Sequence, residues 1–508
     1  MRKLCIGPAV LLVAWLPMAG FDGSPVGDAA VNRDVPTLKK LIAGKADVNA
    51  VQADGSTALL WAVHWGNAEA VDLLLKAGAD VKAANRLNAT PLYLGAETGN
   101  EAIIRKLLEA GADPNQTVLS HGETPLMFAA RSGNVEAVRL LLDKGAKIEA
   151  TENLSGSTAL LWAAEQDHPE VLKLLIARGA KVDVRTSGAT AGDAGITALM
   201  LATRESGLES MKVLLDAGAP INQQSSNGHT ALIVAAMSGN AETIHLLLER
   251  GANPNIANEK GWTPLYLTVK ARTMETGSSP NPTVDQGGLF NVIQLMLERG
   301  ADVNARIGEK TEVHSYLTPT WLKEAGATAF LRAAFGGDLA VMKLLLAHGA
   351  DPNISTEDHT TALMALSGVG YFEGFMHDFG TEEESLEAMK LLIGLGAQVN
   401  AVNDSGVAAL HGAAQKDFVK GIEYLAANGA DFTVRSHYKS QYDGRSGSGY
   451  IPLDWAQGVT LGPTSSTYHA ASVFVISKLM VERHLEPVGL SLVKGGNAKG
   501  AGGAPKKD

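Results

Sequence analysis

Residues 54–86 read DGSTALLWAVHWGNAEAVDLLLKAGADVKAANR, and this stretch decides the fold of the chain. Thr57 stands directly before an apolar run, where its hydroxyl can accept a hydrogen bond from the first free N–H groups of a short helix. Gly66 ends that helix, because glycine adopts the left-handed backbone conformation that other residues disfavour. A second apolar face starts at Val71, with spacings of three and four residues, and stops at Gly78. The stretch therefore predicts a pair of short helices joined by a tight turn.

The same pattern recurs along most of the chain, with a basic step of 33 or 34 residues. The threonine that precedes the first helix of a pair stands at Thr57, Thr90, Thr124, Thr158, Thr197, Thr230, Thr263, Thr328 and Thr361. The glycine that closes the second helix stands at Gly78, Gly111, Gly145, Gly179, Gly218, Gly251, Gly300, Gly349, Gly396 and Gly429. One such pair cannot cover its own apolar face, so the repetition predicts a stack of pairs that share a continuous core.

This repeat resembles the ankyrin repeat, which has a period of about 33 residues and the signature T-P-L-H-x-A. The resemblance covers residues 26–486 and gives about twelve units: a truncated first unit, ten in the middle and a divergent last unit. The usual histidine of the signature stands only at His411, which departs from the family pattern but leaves the helix pattern intact. The resemblance implies an all-α, ankyrin-repeat solenoid that binds a protein or peptide and carries out no catalysis.

Residues 1–20 have the pattern of an export signal. Arg2 and Lys3 form a basic start, residues 4–16 are largely apolar, and small residues follow at Ala19 and Gly20. The apolar run is shorter than the roughly 20 residues that a membrane-spanning helix needs. We therefore expect cleavage near Ala19 and a periplasmic or extracellular protein of bacterial origin, with an uncleaved N-terminal anchor as the alternative.

Composition limits the class of partner and the chemistry. The net charge is −11 and the basic residues do not cluster, so we expect no nucleic-acid partner. Cys5 is the only cysteine, which excludes a disulfide within the chain and a cysteine-based metal site. Sequence motifs of metalloproteases, phosphate-binding loops and serine hydrolases are absent, so we predict no catalytic residue, no cofactor and no metal. We also expect a monomer, no membrane span after the export signal, and a disordered Gly/Ala/Lys-rich tail over residues 487–508.

Two rows of residues on the first helix of each unit form the candidate partner-binding surface. The resemblance places the first row on the concave groove of the array, and it reads Trp61, Leu94, Phe128, Trp162, Leu201, Val234 and Leu267. The second row lies one turn further on and includes His64, Glu97, Arg131, Glu165 and Arg204. We predict an apolar groove with a charged rim. The alternative is that the apolar residues pack against the neighbouring helices. In later units the first row changes to Arg332, Ala365 and Gly412.

Insertions interrupt the period at residues 270–290, 305–327, 367–386 and 434–450. Insertions in repeat proteins form loops, often on the binding face, and we include Trp321 among the candidate partner contacts for this reason. An alternative function is a small-ligand-binding protein or enzyme with a site built from these insertions, around Tyr316, Trp321, Tyr371, His377 and Tyr442. A purely structural envelope component is a further alternative.

Overall fold

The computed structural model describes residues 24–188, 194–273, 285–308, 323–370, 381–437, 449–458 and 468–487. These ranges contain 24 α-helices, arranged as twelve pairs, and isolated β-bridges in place of any strand. The predicted all-α ankyrin-type solenoid is confirmed. The expected export signal, and the expected tail apart from Pro487, lie outside the described residues, so both remain predictions.

The chain divides into two compact units between Pro220 and Ile221. In unit 1, the first helices of the pairs, here called inner helices, are α1 Pro25–Val31, α3 Ala58–His64, α5 Pro91–Thr98, α7 Pro125–Arg131, α9 Ala159–Glu165 and α11 Ala198–Arg204. The second or outer helices are α2 Val35–Ala43, α4 Ala68–Lys76, α6 Glu101–Glu109, α8 Val135–Asp143, α10 Pro169–Ala177 and α12 Leu208–Asp216. Each inner helix packs on the next inner helix and each outer helix on the next outer helix, which gives two layers with the core between them.

Unit 2 has the same two-layer construction. Its inner helices are α13 Ala231–Ser238, α15 Pro264–Thr273, α17 Ala329–Phe335, α19 Ala362–Ser367, α21 Ala409–Gln415 and α23 Pro452–Ala456. Its outer helices are α14 Ala241–Glu249, α16 Gln286–Glu298, α18 Leu339–Ala347, α20 Glu382–Gly394, α22 Val419–Ala427 and α24 Ala470–Glu482. The inner helices again stack in chain order.

The predicted helix ends are present in the structure. The Thr57 hydroxyl accepts a hydrogen bond from the Leu60 N–H at 3.4 Å, and Thr90 caps α5 in the same way. Gly66 has φ +65° and forms the turn between α3 and α4. Thr124 differs, because its hydroxyl is buried without a partner among the described residues. The repeated threonine therefore sets where most inner helices begin.

An asparagine after the outer helix joins each of several repeats to the next one. Asn49 Nδ2 donates to the Gly78 carbonyl at 3.1 Å, and Asn49 Oδ1 accepts from the Asp80 N–H at 2.7 Å. The same two bonds recur at Asn115, Asn255, Asn304 and Asn400. One side-chain amide thus satisfies a backbone donor and a backbone acceptor of the following repeat, which fixes the spacing of the stack.

Candidate partner-binding groove

The inner row, defined as the fourth residue of each inner helix, forms a buried floor in most of unit 1. Leu94 and Leu201 are buried, and Phe128 and Trp162 expose only 3% and 4% of their surface. Trp61 remains partly exposed. The sequence allows either an exposed apolar groove or packing between neighbouring helices, and the burial of Leu94, Phe128, Trp162 and Leu201 agrees with packing.

Ring contacts between neighbouring repeats explain the burial. Phe128 meets Tyr93 of the preceding repeat edge to face, with ring centroids 4.5 Å apart. Its contact with Trp162 of the following repeat has the same geometry at 5.2 Å. Each ring is long enough to reach the next inner helix, so it fills the space between helices rather than facing solvent.

The rim row, defined as the seventh residue of each inner helix, carries ion pairs between neighbouring repeats. Arg131 Nη2 lies 3.5 Å from Glu97 Oε1, and Arg204 Nη2 lies 3.0 Å from Glu165 Oε1. All four side chains are partly exposed. The Arg131 guanidinium also lies 5.0 Å from the Phe128 ring centroid, within cation–π range. The rim charges are therefore held in place above the aromatic floor.

Partial burial affects the rim carboxylates. Burial raises the pKa of Glu97 above its ordinary value, and the charge of Arg131 opposes this shift. Burial likewise raises the pKa of Glu165, against the effect of Arg204. Arg131 and Arg204 therefore each help to keep a partly buried carboxylate charged.

The first two repeats present an aromatic cluster that is open to solvent. Trp61 stacks with Trp65 at 6.5 Å, and His64 meets Trp61 edge to face at 5.8 Å. The Arg33 guanidinium lies 4.0 Å from the Trp65 ring centroid. His64 is exposed and both tryptophans are partly exposed. Trp61 is also fixed by a 2.6 Å hydrogen bond from its Nε1 to Gln52 Oε1.

Sequence reasoning missed Trp65 and Arg33 in this cluster. Trp65 stands eight residues after Thr57, where the next two units carry Thr98 and Ser132. A tryptophan at that position was the available signal. Arg33 lies in the truncated first repeat, and its contact with Trp65 depends on the stacking of the first two inner helices.

In unit 2 the two rows bring charged residues into the interior. Arg332 holds the inner-row position of α17, and Lys270 holds the rim position of α15. Both approach the carboxylate of Glu324, which precedes α17. At Arg332 the inner row therefore contributes to a buried charged cluster. The described inner-row residues of unit 1 form no such cluster.

Several candidate residues from the insertions lie outside the described residues, namely Tyr316, Trp321, Tyr371, His377 and Tyr442. Among the residues that are described, no three His, Cys, Asp or Glu side chains are grouped closely enough to hold a metal ion. The described helices also include none with the length and apolar character required to cross a bilayer.

The family-model comparison identifies the repeat. A family model for ankyrin repeats in three copies matches residues 27–118, 116–186 and 199–307, more than half of the chain, and a model for the single ankyrin repeat matches residues 325–357. A crystal structure of the human ASB11 ankyrin repeat domain is 29% identical, with a TM-score of 0.40; the match covers 46% of this chain and 99% of that chain. No curated protein is detectably similar in sequence.

Proposed function

Because this chain belongs to the ankyrin-repeat family, whose members are generally protein-interaction modules, we propose that it binds a protein or peptide along the inner helices of unit 1. The observation that carries the proposal is the open aromatic cluster of Trp61, His64, Trp65 and Arg33. Interface energy concentrates in a few tryptophan, tyrosine and arginine residues, so this cluster has the composition of a binding hot spot.

The rim charges extend this surface along the array. Arg131, Glu165 and Arg204 are partly exposed and fixed by their ion pairs and ring contacts. Side chains that are already ordered lose little conformational entropy when a partner binds. Leu94, Phe128, Trp162 and Leu201 contribute by supporting the rim from below rather than by touching the partner.

We also propose that the protein acts outside the cytoplasm. The basic start, apolar run and small residues of residues 1–20 support this location. The partner would then be a periplasmic or extracellular protein or peptide.

A peptide library tests the binding surface directly, because it offers the protein many different peptide sequences at once. Phage-displayed peptides would be selected on the full chain. Their affinities would then be measured for the wild type and for the double variant Trp61→Ala/Trp65→Ala. We expect the selected peptides to lose at least tenfold in affinity, because truncation of a hot-spot residue costs about 2 kcal/mol or more.

The matched control is Phe474→Ala, which removes an aromatic side chain that is 69% exposed on α24 of unit 2. Its affinity for the same peptides should equal that of the wild type. Melting curves must show that both variants are folded. Peptides that bind the folded double variant as tightly as the wild type would refute the surface.

A further inference from the structure

In unit 2, the cluster around Glu324 contains two cations and one carboxylate. Lys270 Nζ lies 2.7 Å from Glu324 Oε2, and Arg332 Nη1 lies 3.7 Å from Glu324 Oε1. Only 3% of the Glu324 and Arg332 side chains is exposed, against 18% for Lys270. The paired groups are therefore two cations and one carboxylate, a net charge of +1 held largely away from water. A buried charge without full compensation is unfavourable.

The same cluster contains buried donors that lack acceptors. Neither Arg332 Nε nor Trp262 Nε1 has a hydrogen-bond partner among the described residues. Both residues are more than nine-tenths buried. The Lys270 ammonium lies 5.1 Å from the Trp262 ring centroid, which places Trp262 beside the charged groups. Buried donors in native proteins almost always have an acceptor, so an acceptor from outside the described chain is expected here.

A second buried ion pair nearby, between Arg272 and Asp338, is an example of a fully compensated charge in this core. Arg272 Nε donates to Asp338 Oδ2 at 2.6 Å, with both side chains buried. Asp338 also accepts from the Val341 N–H at 3.1 Å and so caps α18. That pair has one cation for one carboxylate at close range. Among the described residues, the one carboxylate that Arg332 approaches is Glu324, at 3.7 Å and shared with Lys270, while the Arg332 guanidinium also lies 5.0 Å from the Phe335 ring centroid.

We propose that Lys270 and Arg332 bind a carboxylate group of a second molecule, which enters beside Lys270, the most exposed member of the cluster. The Nε–H of Arg332 donates to the bound carboxylate, and Lys270 is shared between that carboxylate and Glu324. A carboxylate is favoured over a phosphate because its single negative charge equals the excess charge, whereas a phosphate group carries about −1.5 to −2. Its planar pair of oxygens also fits an arginine edge.

The environment of Lys270 supports the assignment. Burial lowers the pKa of Lys270, the charge of Arg332 lowers it further, and Glu324 opposes both effects only in part. A bound carboxylate would compensate the remaining positive charge. The site lies in unit 2 and is independent of the proposed peptide surface in unit 1, so either proposal can fail alone.

The direct test is binding of acetate to the full chain. The protein would be titrated with sodium acetate and, in parallel, with sodium chloride at equal ionic strength. The readouts are the melting temperature and the NMR line width of ¹³C-labelled acetate. We expect a saturable effect of acetate beyond that of chloride. Arg332→Gln should weaken acetate binding at least tenfold, and Glu324→Gln should strengthen it, because the competing carboxylate is removed.

Arg299→Gln is the matched control, since Arg299 forms an exposed ion pair with Glu249 in the same unit. It should bind acetate like the wild type. If Arg332→Gln does not fold, Lys270→Gln replaces it, because Lys270 is the member nearest to solvent, and the same tenfold loss is expected. An acetate effect equal to that of chloride, or unchanged acetate affinity in a folded Arg332→Gln or Lys270→Gln variant, would overturn the proposal.

Three further probes distinguish the source of the carboxylate. These are free succinate, an amidated peptide with one internal glutamate, and a peptide without acidic side chains but with a free C-terminus. The blank is an amidated peptide with glutamine in place of glutamate. Binding of any carboxylate probe above the blank supports the site and identifies its source. Equal binding of the blank, or tighter binding of inorganic phosphate at equal ionic strength, contradicts it.

Discussion

The ring of Phe128 meets the ring of Trp162 edge to face across two repeats, with centroids 5.2 Å apart. These rings belong to the floor of the inner helices and stabilise the stack, while Arg131 above them lies 5.4 Å from the Trp162 centroid. Phe128 and Trp162 therefore pack in the core of unit 1, while the rim residues and the cluster around Trp61 remain partly exposed.

Truncation of the floor should destabilise the protein. Phe128→Ala and Trp162→Ala each remove a buried ring, and such changes typically cost about 3–5 kcal/mol. Equilibrium unfolding in urea measures this cost. Phe474→Ala is the control, because an exposed ring contributes little, usually within about 0.5 kcal/mol. Similar midpoints for Phe128→Ala and Phe474→Ala would show that the ring does not pack as described.

Core damage should remain local. Leu74 and Leu141 are fully buried on α4 and α8, and replacement of either by alanine should cost about 2–5 kcal/mol. Because each repeat contacts only its neighbours, amide hydrogen exchange should rise first in the altered repeat and the repeats beside it. A uniform rise across unit 1 would contradict nearest-neighbour stabilisation.

The asparagine link between repeats can be dissected at Asn115. Its Nδ2 donates to the Gly145 carbonyl at 2.9 Å and its Oδ1 accepts from the Lys147 N–H at 2.7 Å. Asn115→Ala removes both bonds and should cost about 1–2 kcal/mol, because each contributes roughly 1 kcal/mol. Asn115→Asp keeps an acceptor and loses the donor, so its unfolding free energy should fall between those of the wild type and Asn115→Ala. Equal stability of all three proteins would contradict the linking role.

His411 should make the last repeats sensitive to acid. Its side chain is buried, Nδ1 accepts from the Ala408 N–H at 3.1 Å and Nε2 donates to the Tyr450 carbonyl at 3.0 Å. Burial lowers the pKa of His411 from 6.5 to about 4, although the bond to Tyr450 opposes the shift. The unfolded chain therefore takes up a proton at a higher pH than the folded chain does.

The resulting contribution to stability is fully present above pH 6.5 and is lost as the pH falls towards about 4. From the size of the pKa shift it amounts to about 3 kcal/mol. The unfolding free energies of the wild type and of His411→Gln would be measured from pH 7.5 to pH 4.5. Taking their difference at each pH removes the contribution of the carboxylates, which the two proteins share. The excess unfolding free energy of the wild type over His411→Gln should disappear as the pH falls over this range. A difference that does not change with pH would be inconsistent with a buried neutral histidine.

Export can be tested directly on the protein from its native host. Mass spectrometry of the mature chain should find an N-terminus between Ala19 and Asp28, because the small residues follow the apolar run there. Cell fractionation should place that form outside the cytoplasm. Recovery of intact Met1 from the cytoplasmic fraction would refute export.

Local sequence determined the helices, because helix ends depend on a few neighbouring residues. The hydroxyl of Thr57 and the left-handed φ of Gly66 act within one helical turn, and the 33- or 34-residue step repeats them along the chain. The pairing of helices and the two-layer core followed from the same repetition, since an isolated pair leaves its apolar face uncovered.

Tertiary structure alone decided which inner-row residues are buried. Whether Phe128 is exposed depends on its distance to the rings of the neighbouring helices, which a repeat period does not give. The tertiary structure also determined which charged residues meet in the cluster of unit 2. Lys270 and Glu324 are 54 residues apart and lie within two separate insertions that interrupt the period, so no spacing rule predicts their 2.7 Å contact. Charges so distant in sequence become neighbours only when the stacked helices bring them together, and their burial is a property of that packing.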